Sequence, residues 1–289
     1  SHAQAIRTGR VRSLGLVLTM SEHDGHRPFL ADFLAGATQA VSAEGWTLTV
    51  ATAPGEDETL ATLKRLVEER KADGFIIPRT RTSDTRIDML REAGVPFVLY
   101  GRTGDPEGCA WFDIEGETAM AEAVQRLAKL GHRHIAYLGG AAGHAYADLR
   151  LQGYRAGLAA AGLTERSEYV AKGAMTRTHG AALAARMLRL STPPTAFVCA
   201  LDLAALGVYT AVRELGLSVG RDVSVIGYDG VPEGEIAAPP LTTFAVDTRA
   251  VGTRLATMLI ERIRGIPPEN LRETVQARLV PRGSDGPRP

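Results

Sequence analysis

The chain has 289 residues, of which 45% are hydrophobic and 23% are charged, a composition typical of a soluble globular protein with a substantial core. Lys plus Arg and Asp plus Glu number 33 each, so the chain lacks the excess of positive charge that marks a nucleic-acid-binding surface. No apolar stretch is long enough to span a membrane, and no secretory signal opens the sequence. We therefore expect a cytoplasmic protein without a membrane partner.

The cysteine content excludes a disulfide-rich fold. Cys109 and Cys199 are the two cysteines of the chain, which is too few for a disulfide framework. Cys199 lies in the apolar run at residues 197–200, and this position favours a buried free thiol.

The first elements in chain order are a short β-rich run at residues 14–18 and a helical pattern at residues 28–43. Pro28 suits the first turn of a helix, where its missing N–H is not needed. Gly45 then ends the helix, because glycine readily adopts the left-handed conformation that closes a helix. The apolar positions of this helix fall on one face at 3.6-residue spacing: Leu30, Phe33, Leu34, Ala37 and Val41.

The alternation of short β-rich runs and helical patterns continues to the end of the chain. Such alternation predicts parallel sheets with helices on both faces. A single sheet would need about ten strands, which is uncomfortable for a twisted open sheet. We therefore predict an α/β fold of two doubly wound parallel-sheet lobes, and a faint repeat of residues 33–46 at residues 153–163 favours duplication. The later strand candidates are residues 46–50, 75–77, 97–100, 111–114, 135–138, 169–171, 197–200, 223–228 and 244–246.

Catalytic motifs are absent from the sequence. It contains no phosphate-binding loop, no spaced glycines of a dinucleotide site after the first strand, and no nucleophile elbow. We expect neither an enzyme nor a cofactor. His23 and His26 lack further ligands at metal-binding spacing, so we expect them to line a cleft or face solvent. His132, Arg133 and His134 lie at a helix-to-strand turn, where positive charge suits the end of a helix.

Five segments together resemble the LacI/GalR family of transcriptional regulators. Residues 130–140 (LGHRHIAYLGG) and 150–158 (RLQGYRAGL) resemble the mid-chain signatures of that family. Residues 222–230 (DVSVIGYDG), followed by residues 239–243 (PPLTT), are similarly close. Residues 3–10 (AQAIRTGR) resemble the end of the hinge that follows the family's helix-turn-helix headpiece, which is itself missing from the chain.

The resemblance implies a fold similar to periplasmic sugar-binding proteins, in which two lobes close on a ligand. It divides the chain into a hinge segment (1–9), an N-terminal lobe (10–131 and 248–266), a C-terminal lobe (132–247 and 267–283) and a frayed tail (284–289). It also implies a small-molecule effector, most simply a carbohydrate, together with operator DNA bound through the missing headpiece. A homodimer formed through helices of both lobes is expected, since two headpieces read two half-sites.

The resemblance further assigns ligand-binding roles in the C-terminal lobe. Arg150 matches the arginine that reaches a sugar's ring oxygen and hydroxyls, and its rigid guanidinium can satisfy two acceptors at once. Asp229, at the end of a strand, matches an aspartate that accepts hydrogen bonds from sugar hydroxyls. Asp202 also ends a strand, but it opens a helix, where an aspartate equally serves as the N-cap.

Four further candidates come from the first half of the chain. Glu115 and Asp113 lie where the family often carries a ligand-binding aspartate, and their spacing of two would direct both to one side of a strand. Phe29 matches an aromatic residue that packs on the sugar's apolar face, although a core position is as consistent with the sequence. Arg102 is a candidate from the rim of the cleft.

Two positions depart from the family pattern. Leu201 stands where many relatives carry asparagine, and Val246 stands where many carry glutamine or another polar residue. Each change removes hydrogen-bonding capacity, and an unsatisfied ligand hydroxyl would cost on the order of 1–3 kcal/mol. We therefore expect a deoxy sugar, an aryl sugar or a disaccharide with an apolar contact face, rather than a plain hexose.

Two other functions fit parts of the same sequence. A periplasmic sugar-binding component of a transporter would share the fold, but the hinge-like opening and the missing signal speak against it. A sugar-processing hydrolase would need a nucleophile paired with a base, and no such pair is visible in the sequence.

Overall fold

The computed structural model describes residues 9–20 and 28–289, with side chains except at residues 28 and 29. The chain forms two compact units. Unit 1 comprises Ser1–Asp113 and Asp247–Thr274, and unit 2 comprises Ile114–Val246 and Val275–Pro289. Among the described residues, no helix is both long and apolar enough to cross a membrane.

Unit 1 is built on a six-stranded sheet with the strand order β11-β5-β4-β3-β1-β2. The pairings that join β1 through β5 are parallel, as the alternating pattern predicts. The apolar strands β1 and β3 lie inside the sheet, so residues such as Leu16 and Ile76 are fully buried. The strands are β1 (Ser13–Thr19), β2 (Thr47–Ala53), β3 (Gly74–Pro78), β4 (Phe97–Tyr100), β5 (Ala110–Ile114) and β11 (Arg272–Val275), and the helices are α1 (Pro28–Ala43), α2 (Glu56–Glu68), α3 (Thr85–Glu92) and α9 (Thr248–Ile263).

Unit 2 repeats this architecture with the strand order β12-β10-β9-β8-β6-β7. Its pairings are parallel except for the antiparallel pair of β10 and β12. Cys199 is a buried free thiol in the core of this unit, as predicted. The strands are β6 (Ile135–Leu138), β7 (Val170–Ala171), β8 (Ala196–Cys199), β9 (Ser224–Asp229), β10 (Thr242–Ala245) and β12 (Arg278–Val280), and the helices are α4 (Gly116–Lys129), α5 (Ala145–Ala160), α6 (Arg177–Leu188), α7 (Asp202–Glu214) and α8 (Pro232–Glu235).

The predicted boundary at residue 131 is wrong, because α4 belongs to unit 2. Its apolar face packs against α5 through two glycines of α5. A Cβ on Gly153 would collide with the backbone oxygen of Glu117, and a Cβ on Gly157 would lie 2.7 Å from Cβ of Val124. This close packing of helices assigns residues 114–131 to the second unit.

The assignment of residues 267–274 to the second lobe is also wrong. This segment closes the edge of the unit 1 sheet, where the Trp111 N–H donates to the Leu271 oxygen at 2.9 Å. The guanidinium of Arg272 lies 4.3 Å from the centre of the Trp111 ring and donates to the Cys109 oxygen at 3.0 Å. A cation–π contact and a hydrogen bond therefore hold β11 beside β5.

The tail at residues 284–289 is docked on unit 2 rather than frayed. Ser284 is fully buried, and its hydroxyl donates to the Val225 oxygen at 2.6 Å. The Asp285 carboxylate accepts hydrogen bonds from Arg126 Nε and Thr242 Oγ1, both at 2.6 Å. The prediction failed because small polar residues resemble a solvated coil until their partners are known.

His132 fixes the tail from the opposite side. Its ring is fully buried, with Nε2 2.9 Å from the Gly286 oxygen and Nδ1 2.7 Å from Thr195 Oγ1. Burial lowers the pKa of His132 below its ordinary value of 6.5. The neutral ring, donating from Nε2 and accepting at Nδ1, therefore suits this position. His132 is a core residue, and Arg133 supplies the positive charge expected at the helix end by donating to the Ala128 oxygen at 3.3 Å.

We predict that acid loosens the tail through His132. Below about pH 6.5 the unfolded chain takes up a proton that folded His132 refuses, so stability falls by up to about 1.4 kcal/mol per pH unit. His132→Gln keeps a neutral donor and should lose this dependence. Residues 279–284 read LVPRGS, a segment that thrombin cleaves after the arginine when the chain is extended and accessible.

The measurement is the rate of thrombin cleavage at Arg282 from about pH 7.5 down to about pH 5.5, compared between the wild type and His132→Gln. The ratio of the two rates cancels the pH dependence of the protease itself. An increasing ratio towards acid is expected. A constant ratio would show that His132 does not control the tail.

Candidate functional site

Arg150 is held at the carboxyl end of the unit 2 sheet. It lies on α5, and its Nη1 donates to the oxygen of Ala200, directly after β8, at 2.6 Å. Its guanidinium carbon lies 3.7 Å from the centre of the Tyr228 ring and 4.8 Å from that of the Tyr146 ring. One hydrogen bond and two cation–π contacts therefore immobilise the guanidinium.

The surroundings of Arg150 are unusual for a charged side chain. Its Nε is buried without an acceptor among the described residues. A Cβ on Gly116 would lie 2.8 Å from this nitrogen, so a larger residue at position 116 would displace the arginine side chain. Burial alone would lower the pKa of Arg150, but Tyr228 and Asp229 hold that pKa above its ordinary value. The guanidinium is a fixed positive charge, partly removed from water.

Asp229 ends β9 in a strained backbone conformation. Its φ is +126°, in a region that residues with a side chain rarely adopt. The Asp229 oxygen accepts the Val246 N–H at 3.1 Å, and Gly230 follows with φ +83°. Strain of this kind costs on the order of 1–3 kcal/mol and clusters at binding and catalytic sites.

Asp202 is a structural residue, so the structure gives no support to its candidate role in ligand binding. It is fully buried at the start of α7, and its Oδ2 accepts the Gly230 and Val231 N–H groups at 2.8 and 2.9 Å. Its Oδ1 accepts the Thr243 hydroxyl at 2.6 Å. Burial raises the pKa of Asp202 while these hydrogen bonds lower it, and the net direction is upwards. Its carboxylate fixes the loop that follows Asp229.

Leu201 and Val246 lie near this arrangement, at the ends of two strands. Leu201 directly precedes α7, and its partly buried side chain packs against the core of unit 2. Val246 follows β10 and is half-buried. Both side chains are apolar, at positions where the family resemblance implies polar groups.

Asp113 and Arg102 form an ion pair at the corresponding strand ends of unit 1. Arg102 Nε lies 2.7 Å from Asp113 Oδ2, and both side chains are largely buried. The Arg102 backbone oxygen accepts the buried Thr80 hydroxyl at 2.6 Å, which fixes the loop after β4. The two candidates in unit 1 therefore neutralise each other's charge in an ion pair.

The remaining candidates of the sequence analysis are Glu115 and Phe29. Glu115 belongs to unit 2, since the chain passes between the units after Asp113. It occupies the N-cap position of α4, where its carboxylate accepts the Thr118 hydroxyl at 3.2 Å. The side chain of Phe29, together with His23 and His26, lies outside the described part of the structure.

Tyr146 and Tyr228 are site residues that the sequence analysis missed. Tyr146 precedes Arg150 by four residues on α5, a spacing that places two side chains on the same helix face. Tyr228 directly precedes Asp229 and is buried. The spacing from Arg150 was the available signal for Tyr146, whereas the inward direction of Tyr228 required the fold.

The described residues offer no alternative site based on a metal. Across residues 9–20 and 28–289, no group of three or more His, Cys, Asp or Glu side chains is placed to hold a metal ion.

Comparison with known proteins gives the chain its family. The model of the periplasmic binding protein-like domain matches residues 124–284. The HTH-type transcriptional regulator AglR of Rhizobium meliloti is 35% identical over 99% of this chain and 82% of its own length. A regulatory protein of the LacI family from Chloroflexus aggregans superimposes with a TM-score of 0.88 at 28% identity, covering 95% of this chain and 98% of that one. The chain belongs to the LacI family of transcriptional regulators.

The chain is also similar to a regulator whose structure was solved as a complex. The complex of the transcriptional regulator CelR with cellobiose has a TM-score of 0.87 at 30% identity, covering 98% of this chain and 89% of CelR. AglR and CelR are named as regulators of transcription, not as enzymes or transport components. The family membership predicted from the five segments is therefore confirmed, and the transporter alternative is not favoured.

We predict that the Asp202 carboxylate holds the Asp229 loop of this LacI-family domain. Asp202→Ala leaves two backbone N–H groups and a hydroxyl without their acceptor, so the free energy of unfolding should fall by about 3 kcal/mol. Asp202→Asn keeps an oxygen for the N–H groups and can donate to Thr243, so it should lose less than about 1 kcal/mol. Urea denaturation of both variants measures the difference.

A peripheral role for Asp202 would give a different result. If Asp202→Ala unfolds at the same urea concentration as the wild type, the loop is held by other contacts. A loss in Asp202→Asn equal to that in Asp202→Ala would show that the negative charge, rather than the accepting geometry, stabilises the loop.

Proposed function

We propose that this chain is the effector-binding and dimerisation domain of a sugar-responsive transcriptional regulator that binds operator DNA through a headpiece outside this chain. The observation that carries the proposal is the immobilised Arg150 beside the strained Asp229. The cellobiose complex of CelR supports a carbohydrate as the effector class.

The chemistry of the two side chains suits a polyol. The Arg150 guanidinium supplies donors in a rigid fork, and the Asp229 carboxylate supplies acceptors. Sugar hydroxyls both donate and accept, so the two residues together can satisfy neighbouring hydroxyls. Because the guanidinium is already held by Ala200 and two aromatic rings, a sugar would not have to order it.

The apolar neighbours favour a particular class of sugar. Leu201 and Val246 offer no hydrogen bonds to a hydroxyl, whereas the ring of Tyr146 offers an amphipathic surface. A deoxy sugar, an aryl sugar or a disaccharide with an apolar face meets these groups at lower cost than a fully hydroxylated hexose. Asp113 and Arg102 of unit 1, Glu115 of unit 2 and the aromatic Phe29 remain further candidate contacts.

The effector would act through a conformational equilibrium. A sugar shifts the population of the regulator towards the state that binds it better, by an amount set by its differential affinity for the two states. In a dimer this shift changes the fit of two DNA-binding segments to two half-sites.

A groove on unit 2 supports the homodimer. It has a volume of about 460 Å³ and is lined by apolar residues such as Leu206 and Tyr209 and by the polar residues Arg177, Thr210, Arg213 and Glu233. Ile236 lines the same groove and is 85% exposed. A large apolar side chain that is exposed in the single chain loses its contact with water when a second copy covers it. We propose that the unit 2 part of the dimer interface is two-fold, with Ile236 of each copy entering the groove of the other.

The sugar proposal predicts a specific stabilisation that depends on Arg150. A ligand present at one hundred times its dissociation constant stabilises the folded chain by about 2.7 kcal/mol. A thermal-shift screen of mono- and disaccharides, including cellobiose, should reveal such a shift. Arg150→Ala should weaken binding by about a hundredfold, because a charged donor is lost from a partly desolvated position.

Arg155→Ala is the matched control for this experiment. Arg155 lies on the same helix but is exposed and paired with Glu165, so its loss should leave the shift unchanged. If no sugar of the panel stabilises the chain, the proposal that its effector is a sugar is wrong. If the sugar stabilises Arg150→Ala as much as the wild type, Arg150 does not contribute to sugar binding. Binding of plain glucose or galactose below micromolar concentration would contradict the apolar-contact argument.

The dimer proposal predicts that Ile236→Glu is a monomer. A carboxylate at this position loses the apolar burial of the isoleucine and must be desolvated on association, so sedimentation equilibrium at micromolar concentration should give the mass of one chain. Leu217→Glu is the control, since Leu217 is 38% exposed and does not line the groove. A wild-type monomer, or an Ile236→Glu dimer, would contradict the proposed interface.

A further inference from the structure

The segment that leads into unit 1, residues 9–12, is held by one acidic side chain. Asp73 lies in the turn between α2 and β3. Its Oδ1 accepts the Val11 N–H at 3.0 Å and its Oδ2 accepts the Arg12 N–H at 2.7 Å. The Asp73 N–H in turn donates to the Ser13 oxygen at 2.8 Å. A carboxylate that accepts two successive backbone N–H groups fixes both the position and the direction of the chain.

This entry segment, residues 9–12, carries backbone strain at its last residue. Arg12 has φ +55°, in the left-handed region that residues with a side chain rarely adopt. The Arg12 oxygen accepts the Thr47 N–H at 3.0 Å, so both peptide groups of Arg12 are held. Strain of this kind persists only where surrounding contacts over-determine the conformation. The Asp73 carboxylate supplies that constraint, since residues 9–12 are otherwise exposed.

A second contact ties the entry segment to a long helix. Arg10 Nη2 donates to the oxygen of Ile263 at 2.9 Å, and Ile263 is the last residue of α9. A cation is favourable at the carboxyl end of a helix, where backbone oxygens lack partners within the helix. The entry segment is therefore attached both to the start of β3, through Asp73, and to the end of α9, through Arg10.

Helix α9 connects the entry segment to the point where the chain passes between the two units. It begins directly after the point where the chain passes from unit 2 into unit 1, between Val246 and Asp247. Asp247 caps the helix by accepting the Ala250 N–H at 3.0 Å. The helix has 16 residues, so it is about 24 Å long. Helix α9 thus begins two residues after Val246, whose N–H donates to the Asp229 oxygen, and it ends at the contact with the entry segment.

We propose that Asp73 is a positioning residue that couples sugar binding to DNA binding, by fixing the direction in which the preceding chain leaves unit 1. This inference rests on the proposed function, since the preceding chain is there a DNA-binding segment. With Asp73 in place, a movement of α9 relative to the β-sheet turns the entry segment as a body. Without Asp73, the segment pivots on Arg10 and on the Arg12 oxygen, and the movement is not transmitted.

The test compares two quantities in the intact regulator, which carries this chain together with its DNA-binding segment. The first is the sugar dissociation constant, and the second is the factor by which sugar changes affinity for an operator selected in vitro. The sugar is cellobiose, or the panel sugar that stabilises the chain most. Coupling factors between sites are typically about 5-fold to 150-fold. Asp73→Ala should reduce the factor to within about twofold while the sugar dissociation constant changes less than about twofold.

Graded variants separate positioning from general damage. Asp73→Asn keeps one accepting oxygen and should retain part of the coupling. Arg10→Gln removes the charged contact with Ile263 and should reduce coupling independently, which also serves if Asp73→Ala does not fold. Asp88→Ala is the matched control, because Asp88 is an exposed acidic residue of unit 1 paired with Arg91, with no entry-segment contact among the described residues.

The outcomes distinguish the inference from the function on which it rests. If the wild type couples but Asp73→Ala and Arg10→Gln couple equally well, the inference is overturned and the proposed function stands. If sugar binds the wild type without changing its operator affinity, the proposed function is overturned and the inference falls with it. Loss of coupling in Asp73→Ala, partial loss in Asp73→Asn and none in Asp88→Ala support the inference.

Discussion

The buried carboxylate of Asp202 is the constraint on which the candidate site depends. It is fully buried, yet three donors compensate its desolvation: two N–H groups of the loop after β9 and the Thr243 hydroxyl of β10. Gly227 must be glycine because a Cβ there would collide with this carboxylate. The contacts to Gly230 and Val231 fix the chain immediately after Asp229, and so hold a backbone that would otherwise relax. Asp202 thus determines how its neighbour Asp229 is presented.

The position of the Arg150 guanidinium is likewise fixed by neighbouring residues. Its contacts lie with Ala200 on one side and with two tyrosine rings on the others, so the strand ends and α5 set the place of its charge. Gly116 gives it room, which requires α4 to be part of the same unit. Orienting a charged group before the ligand arrives removes part of the entropic cost of binding. Strain at Asp229 and incomplete hydrogen bonding at Arg150 Nε are the corresponding losses of stability.

The sequence predicted the two parallel sheets because hydrophobic periodicity reports how each element is buried. It could not predict which unit an element joins. The face of α4 is equally apolar whichever partner it meets, and only the glycines of α5, Gly153 and Gly157, decide the matter. Ser284 and Asp285 were read as a frayed tail because hydrogen bonding to distant strands leaves no local pattern. Arg150 and Asp229 were proposed as site residues through resemblance to a family, whereas the burial of the Asp202 carboxylate could be seen only in the structure.

The most direct test concerns Asp229. We propose that its strained backbone conformation is maintained because it places the carboxylate for sugar binding. Asp229→Gly and Asp229→Ala both lack the carboxylate, but only glycine relaxes at a φ of +126°. Chemical denaturation of both variants, with and without the sugar that stabilises the wild type, separates strain from binding. The account predicts that Asp229→Gly is more stable than Asp229→Ala by about 1–3 kcal/mol, and that sugar stabilises neither. Stabilisation of Asp229→Gly by sugar to the same extent as the wild type would contradict it.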